Sequence, residues 1–387
     1  MSDSPGQSGG RRDVYDAAAT PVRIGVLMDM PEWIRPAALK AYAFIVARTA
    51  RDSRFERGVE LVEQIVEGAP SGPIGAALKG YDALVDAGVL AVIGPNHSDH
   101  NKALTARAEA RRVPVLALGA TAEQVSEHVF NVQWGSIPED AHIVANWLAR
   151  NGHARVTVTW DTAWHSGEYL HHFRHAARRL GIRILTDERL SQLPGPGLDA
   201  HVARTVEEHR RLGPDAIVHF ATSRSGLAWA KGVKAAGWSP PRIMNGGFYG
   251  ATNAATADIY EGWVGTGLWD DDNPTLAALL AEYAAWAGEP FPAPAELAAI
   301  YFDGMRALLE GVALAPILTP EGIKHGLEDV KMLPAATGGP RTVISFGRWD
   351  RRGLKGMDVM ILRRMAGGKL VMEPRFDPLA TLRETRP

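Results

Sequence analysis

The sequence predicts an α/β protein of two Rossmann-like lobes, each built around a parallel-sheet core. From Val22 onward, short apolar runs rich in β-branched residues alternate with longer segments of helical period, which is the pattern of βαβ units. The alternation forms two series, and the second opens with a helix over residues 138–152. A chain of 387 residues is also too long for one ordinary core and suits two lobes of roughly 100 to 200 residues each.

Each series predicts the strands and helices of one lobe. In the first series the predicted strands are Val22–Met28, Val59–Val66, Val89–Gly94 and Val113–Gly119, and the predicted helices are Pro36–Arg51, Gly75–Ala87 and Ser98–Arg112. In the second series the predicted strands are Val156–Asp161, 182–190, Ala216–Thr222 and 241–247, and the predicted helices are His165–Leu180, Asp199–Leu212 and Ser225–Ala236. Strands pass to helices through Gly, Ser, Asp or Pro, as turn chemistry requires.

The last third of the chain returns to helical period before it ends in alternating residues. Helices are predicted at 274–287, 293–313 and 320–329, and we expect them to rejoin the first lobe. Residues 341–372 have the alternation and glycine-bearing turns of a hairpin that closes the sheet of the second lobe. Residues 1–21 are predicted to be a flexible N-terminal segment, and residues 376–387 a C-terminal tail.

Composition excludes several classes of function. Hydrophobic residues make up 46% and charged residues 22%, which is typical of a globular protein. With 42 Lys and Arg against 44 Asp and Glu, the net charge of -2 creates no field that attracts nucleic acid. The absence of Cys excludes disulfides, thiolate metal sites, a cysteine nucleophile and a lipidated cysteine.

The N-terminal segment determines the expected location. Its first twenty residues are polar and lack the 7 to 15-residue apolar stretch of an export signal. The sequence as written therefore predicts a cytoplasmic protein, or a periplasmic or extracytoplasmic one if the N-terminus was replaced. No stretch approaches the roughly 20 apolar residues of a spanning helix, so no membrane insertion is expected.

Five motifs in order carry a resemblance to a known family. They are AVIGPNHS, VPVLALGATA, VFNVQWGSIPEDAHIV, GPDAIVHFATSRSG and YFDGMRALLEG. In this order and spacing the chain, over residues 22–372, resembles the leucine/isoleucine/valine-type substrate-binding proteins of ABC importers, which are type I periplasmic binding proteins with amide sensors among their relatives. The resemblance implies three chain crossings between the lobes, and we place them near Gln133–Ser136, Phe248–Asn253 and Gly338–Val343. It divides the chain into lobe one, residues 22–134 with 252–340, and lobe two, residues 135–251 with 341–375.

The expected ligand site lies where the two lobes face each other. In open α/β sheets, ligands bind beyond the carboxyl ends of strands, where helix N-termini present free N–H groups. The loops that this rule selects are, in lobe one, Asp29–Trp33, Pro95–Asp99 and Gly119–Thr121 and, in lobe two, Thr162–Ser166, Thr222–Ser225 and Gly246–Tyr249.

In lobe one the resemblance assigns two segments to a ligand carboxylate. Asn96, His97 and Ser98 match the family's loop whose serine and backbone amides hold the carboxylate, and Ala120 and Thr121 match its second carboxylate-binding segment. Ordinary helix N-caps are the alternative interpretation of both segments. Asp99, next to the serine, is expected to repel an anion.

In lobe two the sequence departs from the amino-acid receptors. Trp164 and His165 fall near the family's aromatic residue that covers the ligand, with packing as the alternative. Ser225, next to Arg224, stands where those receptors carry an acid that pairs with the ligand's ammonium. Without a carboxylate there, a buried ammonium is disfavoured. A plain branched-chain amino acid is therefore not the expected ligand.

Four aromatic residues near the expected cleft favour a ligand with apolar or aromatic bulk. Each has core packing as its alternative role, and they are Trp33, Phe248, Tyr249 and Trp269.

Metal and cofactor chemistry is not predicted. His171 and His175 have the helical spacing of a zinc pair but no third ligand nearby. His97 and His100 could also form a metal pair, but a loop with a single Asp between them is thin evidence for a site. The sequence contains no phosphate-binding glycine loop and no nucleophile elbow. We therefore expect no metal, no cofactor and no catalysis.

The leading hypothesis is non-catalytic binding of a small organic molecule by hinge closure, as the substrate-binding component of an ABC importer. The ligand is expected to be a carboxylate-bearing or amide molecule with apolar or aromatic bulk. The expected partners are this ligand and either an ABC permease or, in the alternative of a cytoplasmic sensor, a regulatory protein. An enzyme is the third hypothesis, because the cleft could bring together Asp99, Asp161, His165 and Glu168.

Overall fold

The computed structural model describes residues 20–68, 72–123, 126–221, 224–248, 255–356 and 358–374, and they form two lobes. Lobe one is built on a five-stranded parallel sheet in the order β2-β1-β3-β4-β5. Its strands are β1 Val22–Met28, β2 Val59–Ile65, β3 Ala91–Ile93, β4 Val115–Ala117 and β5 Val129–Asn131. The helices of this lobe are α1 Arg35–Arg48, α2 Ile74–Asp86 and α3 Ser98–Arg111, followed late in the chain by α8 Pro274–Ala287, α9 Ala295–Leu314 and α10 Pro320–Glu328.

Lobe two is built on a seven-stranded mixed sheet in the order β15-β14-β10-β9-β8-β6-β7. Its strands are β6 Arg155–Asp161, β7 Arg183–Leu190, β8 Ala216–Phe220, β9 Arg242–Met244, β10 Trp263–Gly267, β14 Ile361–Ala366 and β15 Lys369–Met372. Its helices are α4 Ile137–Arg150, α5 Trp164–Arg179, α6 Pro196–Leu212 and α7 Arg224–Ala235. The predicted C-terminal hairpin is β14 with β15, and it pairs antiparallel to β10.

Burial on both faces explains why the central strands are apolar throughout. All five residues of β8 are buried, and β1 is buried except at Arg23. Parallel strands covered by helices on both faces read as continuous hydrophobic runs, which made these strands visible in the sequence. The strongly apolar helix α9 is the centre of lobe one, where fifteen of its residues are buried. In the part of the chain that the structure describes, no helix is both long and apolar enough to cross a membrane.

The division of the chain between the lobes differs from the predicted one at two places. Strand β10 lies in the sheet of lobe two, paired with β9 and β14, although residues 252–340 were assigned to lobe one. Residues 341–355 stay with lobe one, because the short strands β11 Leu333–Pro334, β12 Val343–Ile344 and β13 Leu354–Lys355 form a small sheet. Phe346 and Leu354 also pack into the core of lobe one. Sheet pairing, which sequence order does not reveal, sets these boundaries.

The chain passes from lobe one to lobe two between β5 and α4, returns between β10 and α8, and passes to lobe two again between β13 and β14. The first passage agrees with the predicted crossing near Gln133–Ser136, and the other two lie later than predicted. Two isolated bridges lie beside these passages. Asn131, the last residue of β5, pairs with Arg352, and Trp269, just after β10, pairs with Gly338. Strand β5 was not predicted, because its apolar run, Val129–Phe130, is only two residues long, whereas β3 and β4 lie within longer apolar runs.

Asn273 ties two of these segments together. Its side-chain oxygen accepts hydrogen bonds from the backbone N–H groups of Thr275 and Leu276 and so caps α8. Its side-chain nitrogen lies within hydrogen-bonding distance of four carbonyl oxygens between Ala335 and Gly339, at 2.9 to 3.4 Å. One buried amide therefore serves a helix end and a neighbouring loop at once.

We expect Asn273→Ala to lower the free energy of unfolding by about 3 kcal/mol. A lost N-cap costs about 1 kcal/mol, and buried carbonyl groups without a partner cost about 1–3 kcal/mol more. Urea denaturation monitored by circular dichroism measures the change. Asn151→Ala is the matched control, because Asn151 is exposed at the end of α4 and its amide donates to one carbonyl only, so a change within about 0.5 kcal/mol is expected. Equal losses in both variants would contradict the role assigned to Asn273.

Candidate functional site

The loops at the strand ends of lobe one are shaped by two close backbone approaches. At Gly94, where φ is 94°, an added Cβ would lie 2.2 Å from the carbonyl oxygen of Leu27. At Gly119 an added Cβ would lie 1.9 Å from the side chain of Asn101. With its amide oriented to satisfy both ends, Asn101 accepts from Gly119 N at 2.7 Å and donates to Pro95 O at 2.9 Å. The loops after β3 and β4 are therefore held together as one surface.

Asp29, at the end of β1, occupies the N-terminal loop of α3. Its buried carboxylate accepts hydrogen bonds from Asn96 N at 2.7 Å, Asn96 Nδ2 at 3.0 Å and His97 N at 3.0 Å, and it pairs with His100 Nδ1 at 2.9 Å. Burial alone would raise the pKa of Asp29, but the hydrogen bonds and charge of His100 hold it below its ordinary value. The backbone amides of Asn96 and His97, which the resemblance assigned to a ligand carboxylate, are thus occupied by a carboxylate of the protein.

Ser98 and Ala120 bind each other. The Ser98 hydroxyl oxygen accepts a hydrogen bond from Ala120 N at 3.1 Å, and both residues are buried. The two segments that were predicted to hold a ligand carboxylate are therefore adjacent in space, as the prediction required. In this arrangement their donors are used to join the two loops.

Asp99 reaches from lobe one to the first turn of α5 in lobe two. Its carboxylate lies 3.3 Å from Trp164 N, 3.2 Å from His165 N and 3.0 Å from His165 Nδ1. Burial opposes both charges, but the pair overcomes it, so the pKa of Asp99 is lowered and that of His165 is raised. Asp99 was expected to repel an anion and, in the enzyme hypothesis, to share the cleft with His165, but the direct pairing of the two residues, 66 positions apart, was not predicted.

Glu168 makes the reciprocal contact from lobe two to lobe one. Its carboxylate accepts hydrogen bonds from the Thr121 hydroxyl at 2.8 Å and from Ala122 N at 3.3 Å. Burial raises the pKa of Glu168 above its ordinary value, and these two donors limit the rise. The donors are part of the segment that the resemblance assigned to a ligand carboxylate, and a side chain of the protein fills that role here.

Asp161 corrects the interpretation of Ser225. The sequence indicated no carboxylate near this position, but Ser225 donates to Asp161 Oδ2 at 3.0 Å. The other oxygen of Asp161 accepts from Ala163 N at 3.0 Å and from the Ser166 hydroxyl at 2.6 Å. The carboxylate is buried and serves to hold the loops before α5 and α7. The side chain of Arg224 lies outside the described residues.

The predicted aromatic residues have different surroundings. The half-buried ring of Trp164 lies 3.5 Å from Lys102 Nζ, a cation–π contact between α5 and α3. Phe248 is buried against Tyr260 in the core of lobe two, which is the packing alternative and corrects its assignment to the ligand. Trp269 packs into the core of lobe one with Arg363 3.9 Å over its ring, and Trp33 is 59% exposed. Tyr249 lies outside the described residues.

Two buried acids that the sequence reasoning missed lie near the first crossing. Asp140 in α4 accepts from the Tyr169 hydroxyl at 2.9 Å, and burial raises the pKa of Asp140 to about 7. Burial likewise raises the pKa of Glu296 in α9 to about 8. A signal was present for Asp140, since it shares the apolar face of its helix with Ile137 and Val144 at helical spacing.

Two α/β lobes joined by three passages, with hydrogen-bonding loops at the helix ends between them, define the class of two-lobed ligand-binding proteins. The chain belongs to the periplasmic binding protein family, whose sequence profile matches residues 64–368. Its fold is that of the type I periplasmic binding proteins, as the sequence predicted. Among curated proteins, no sequence matches this chain.

Solved structures with the same fold are substrate-binding proteins of ABC transporters. The branched-chain amino-acid substrate-binding protein LivJ of Streptococcus pneumoniae, in complex with isoleucine, has a TM-score of 0.76 and 18% identity over 92% of this chain and 100% of its own. The leucine-binding protein LivK of Thermotoga maritima has a TM-score of 0.75 and 20% identity over 92% and 99%. A solute-binding protein of R. palustris, in complex with benzoate, has a TM-score of 0.73 and 16% identity over 91% and 95%.

We expect Asp140→Asn to flatten the dependence of stability on pH. Because the pKa of Asp140 is raised to about 7 in the folded chain, the folded state keeps a proton that the unfolded state releases above about pH 4. Stability is therefore lost as the pH rises through about 7. From about pH 5 to about pH 8, the wild type should lose about 2–3 kcal/mol more than the variant.

Urea titrations at the two pH values give the measurement. Asp199→Asn is the matched control, because Asp199 is exposed on α6, and this variant should keep the wild-type dependence. Identical pH dependence in the wild type and Asp140→Asn would contradict the assignment.

Proposed function

We propose that this protein reversibly binds a small organic ligand between its lobes, without catalysis, as the substrate-binding component of an ABC importer. The observation that supports the proposal most directly is the contact of Glu168 with Thr121 and Ala122. It brings hydrogen-bond donors of lobe one and an acceptor of lobe two together across the cleft. A ligand that offers the same acceptor would be held by the same donors.

The proposed ligand is a carboxylate-bearing or amide molecule with apolar or aromatic bulk. Glu168 acts as an internal substitute for the ligand's carboxylate, because its two oxygens use the hydroxyl and amide that such a group would use. Both oxygens of Asp161 already accept hydrogen bonds within lobe two, so this carboxylate is a poor partner for a ligand ammonium. The benzoate bound to the R. palustris protein is a carboxylate with aromatic bulk and no ammonium.

The proposed mechanism is a population shift between separated and joined lobes. A ligand stabilises the joined state only by the difference in its contacts with the two states. Here the ligand carboxylate replaces Glu168 at Thr121 and Ala122, and Glu168 moves away from the donors that it occupied. The affinity of the ligand therefore includes the free energy needed to displace Glu168.

A thermal-shift screen tests the binding proposal. Aromatic and branched aliphatic carboxylates are compared with their amides and with leucine and isoleucine. A ligand at 100 times its dissociation constant adds about 2.7 kcal/mol, which corresponds to a rise of about 3 °C in the melting temperature of a chain of this size. We expect carboxylates without an α-ammonium to give the larger shifts. If no compound stabilised the protein while one of them was chemically converted, the binding proposal would be wrong.

We expect Glu168→Ala to raise the affinity for carboxylate ligands about tenfold. The substitution removes the internal competitor for Thr121 and Ala122, whose charge-assisted hydrogen bonds contribute about 1.5–3 kcal/mol. Thr121→Val should lower the affinity, because it removes the donor. Isothermal titration calorimetry with the best compound of the screen measures both changes.

Glu207→Ala is the matched control, since Glu207 is exposed on α6 of the same lobe. It should leave the affinity within twofold of the wild type. If Glu168→Ala weakened binding of the carboxylate instead, Glu168 would be a ligand contact and not a competitor.

The role in import is tested separately from binding. A strain without this protein should lose uptake of the identified ligand, and the protein should stimulate ATP hydrolysis by its permease complex when the ligand is present. If binding persisted while uptake was unchanged and ligand-dependent gene expression was lost, the chain would act as a sensor of the same fold.

A further inference from the structure

We propose that His97, Asp99 and His165 form a binding site for a divalent transition metal ion, with Zn²⁺ as the expected ion, at the contact between the lobes. One ligand atom from each residue lies within 4.8 Å of the other two. His165 Nδ1 and Asp99 Oδ1 are 3.0 Å apart, and the rings of His97 and His165 meet edge to face at 5.1 Å. Two imidazoles and one carboxylate are a ligand set that zinc sites use.

The distances are close to those of a tetrahedral site. Zinc bonds of 2.0–2.2 Å at tetrahedral angles place neighbouring ligand atoms about 3.3 Å apart. The distance between His165 Nδ1 and Asp99 Oδ1, now 3.0 Å, has to increase by only a few tenths of an ångström. A rotation of the His97 side chain would bring its ring nitrogen from within 4.8 Å of these atoms to the same spacing. Three protein ligands leave the fourth position for water or for an oxygen of a bound molecule.

His97 carries an independent sign of a missing partner. Its Nδ1 is buried and has no hydrogen-bond partner within the described residues. An unpaired buried polar atom is unfavourable, and a metal ion would satisfy it.

Backbone groups already orient this set of side chains. Asp99 also accepts from the amides of Trp164 and His165, and the backbone N–H of His97 donates to Asp29 at 3.0 Å. Such outer contacts fix the ligands of metal sites and strengthen binding. Asp99 and His165 are therefore already held in place, and only the side chain of His97 has to adjust to the ion.

A second cluster of acidic and histidine side chains does not fit as well. Glu109, Glu127 and His128 also come within 4.8 Å of one another. The ammonium group of Lys324, however, lies 2.7 Å from Glu127 and supplies a positive charge there. This cluster is an ion-pair network of lobe one, whereas the cluster of His97 joins both lobes.

The position of the ion gives it a mechanical role. His97 and Asp99 belong to the start of α3 in lobe one, and His165 belongs to the start of α5 in lobe two. An ion bound to all three holds the lobes together and favours the joined state by its binding free energy. This role does not depend on which organic ligand the protein binds.

Metal binding to the full chain is tested after dialysis against a chelator. Calorimetric titration with ZnCl₂ should show one ion bound per chain, and Co²⁺ should give the intense visible absorption of a tetrahedral site. Zinc should also decrease the radius of gyration measured by small-angle X-ray scattering. Absence of saturable zinc binding, or a purely octahedral Co²⁺ spectrum, would overturn the proposal.

Variants assign the ion to this cluster. We expect His97→Ala and His165→Ala to weaken zinc binding at least about tenfold, since loss of even an outer contact costs a metal site about 10–100-fold. His97→Gln, which keeps polarity and size, should weaken binding equally while retaining the wild-type circular dichroism and melting temperature without metal. This comparison separates loss of a ligand from loss of the fold.

Two controls cover the other histidines that could bind zinc. The double variant His171→Ala/His175→Ala removes the pair on α5, and His128→Ala removes the histidine of the second cluster. Both should bind zinc as the wild type does. If either control lost binding while His97→Gln kept it, the ion would belong elsewhere and the proposal would be wrong.

Discussion

The candidate site depends on two reciprocal contacts, in which each lobe places one carboxylate on hydrogen-bond donors of the other lobe. Asp99 of lobe one caps the first turn of α5, and Glu168 of lobe two accepts from Thr121 and Ala122. Helices α3 and α5 both begin at the cleft, so their positive ends would face each other without these charges. The protein therefore places its own carboxylates at these helix ends, and an acidic ligand that used the same donors would have to displace a side chain that is already there.

Two buried acids at this cleft have pKa values that shift in opposite directions. Asp29 receives two backbone N–H bonds and a histidine partner, and its pKa is lowered. Asp140 receives a tyrosine hydroxyl, and burial raises its pKa to about 7. Burial raises both pKa values, and the hydrogen bonds and positive charge of His100 reverse the shift at Asp29 only. Residue type alone therefore does not give the electrostatic character of the cleft.

The fold could be predicted from sequence because its strands and helices leave local patterns of apolar residues. Strands such as β1 and β8 are buried on both faces, and their continuous apolar runs made them visible. The lobe to which β10 belongs was beyond this reasoning, since it is decided by pairing with β9 and β14. Local signals do not contain such long-range pairing.

The site could be predicted only in part, for the same reason. The loops around Ser98 and Thr121 were identified from strand ends and from the family resemblance, and the structure brings them together. The side chains that fill their donors come from other parts of the chain, Glu168 being 47 positions from Thr121. Contacts of this kind arise when separate elements assemble. Whether these loops hold a ligand remains a prediction.

Asn273 has a consequence for how such a two-lobed molecule can bend. Its amide joins the start of α8, just after the second passage, to the carbonyls of residues 335–339, which pair with Trp269 in that passage. A rotation of one lobe would therefore move the start of α8 and residues 335–339 together. A substitution at Asn273 would therefore act on the backbone that connects the two lobes.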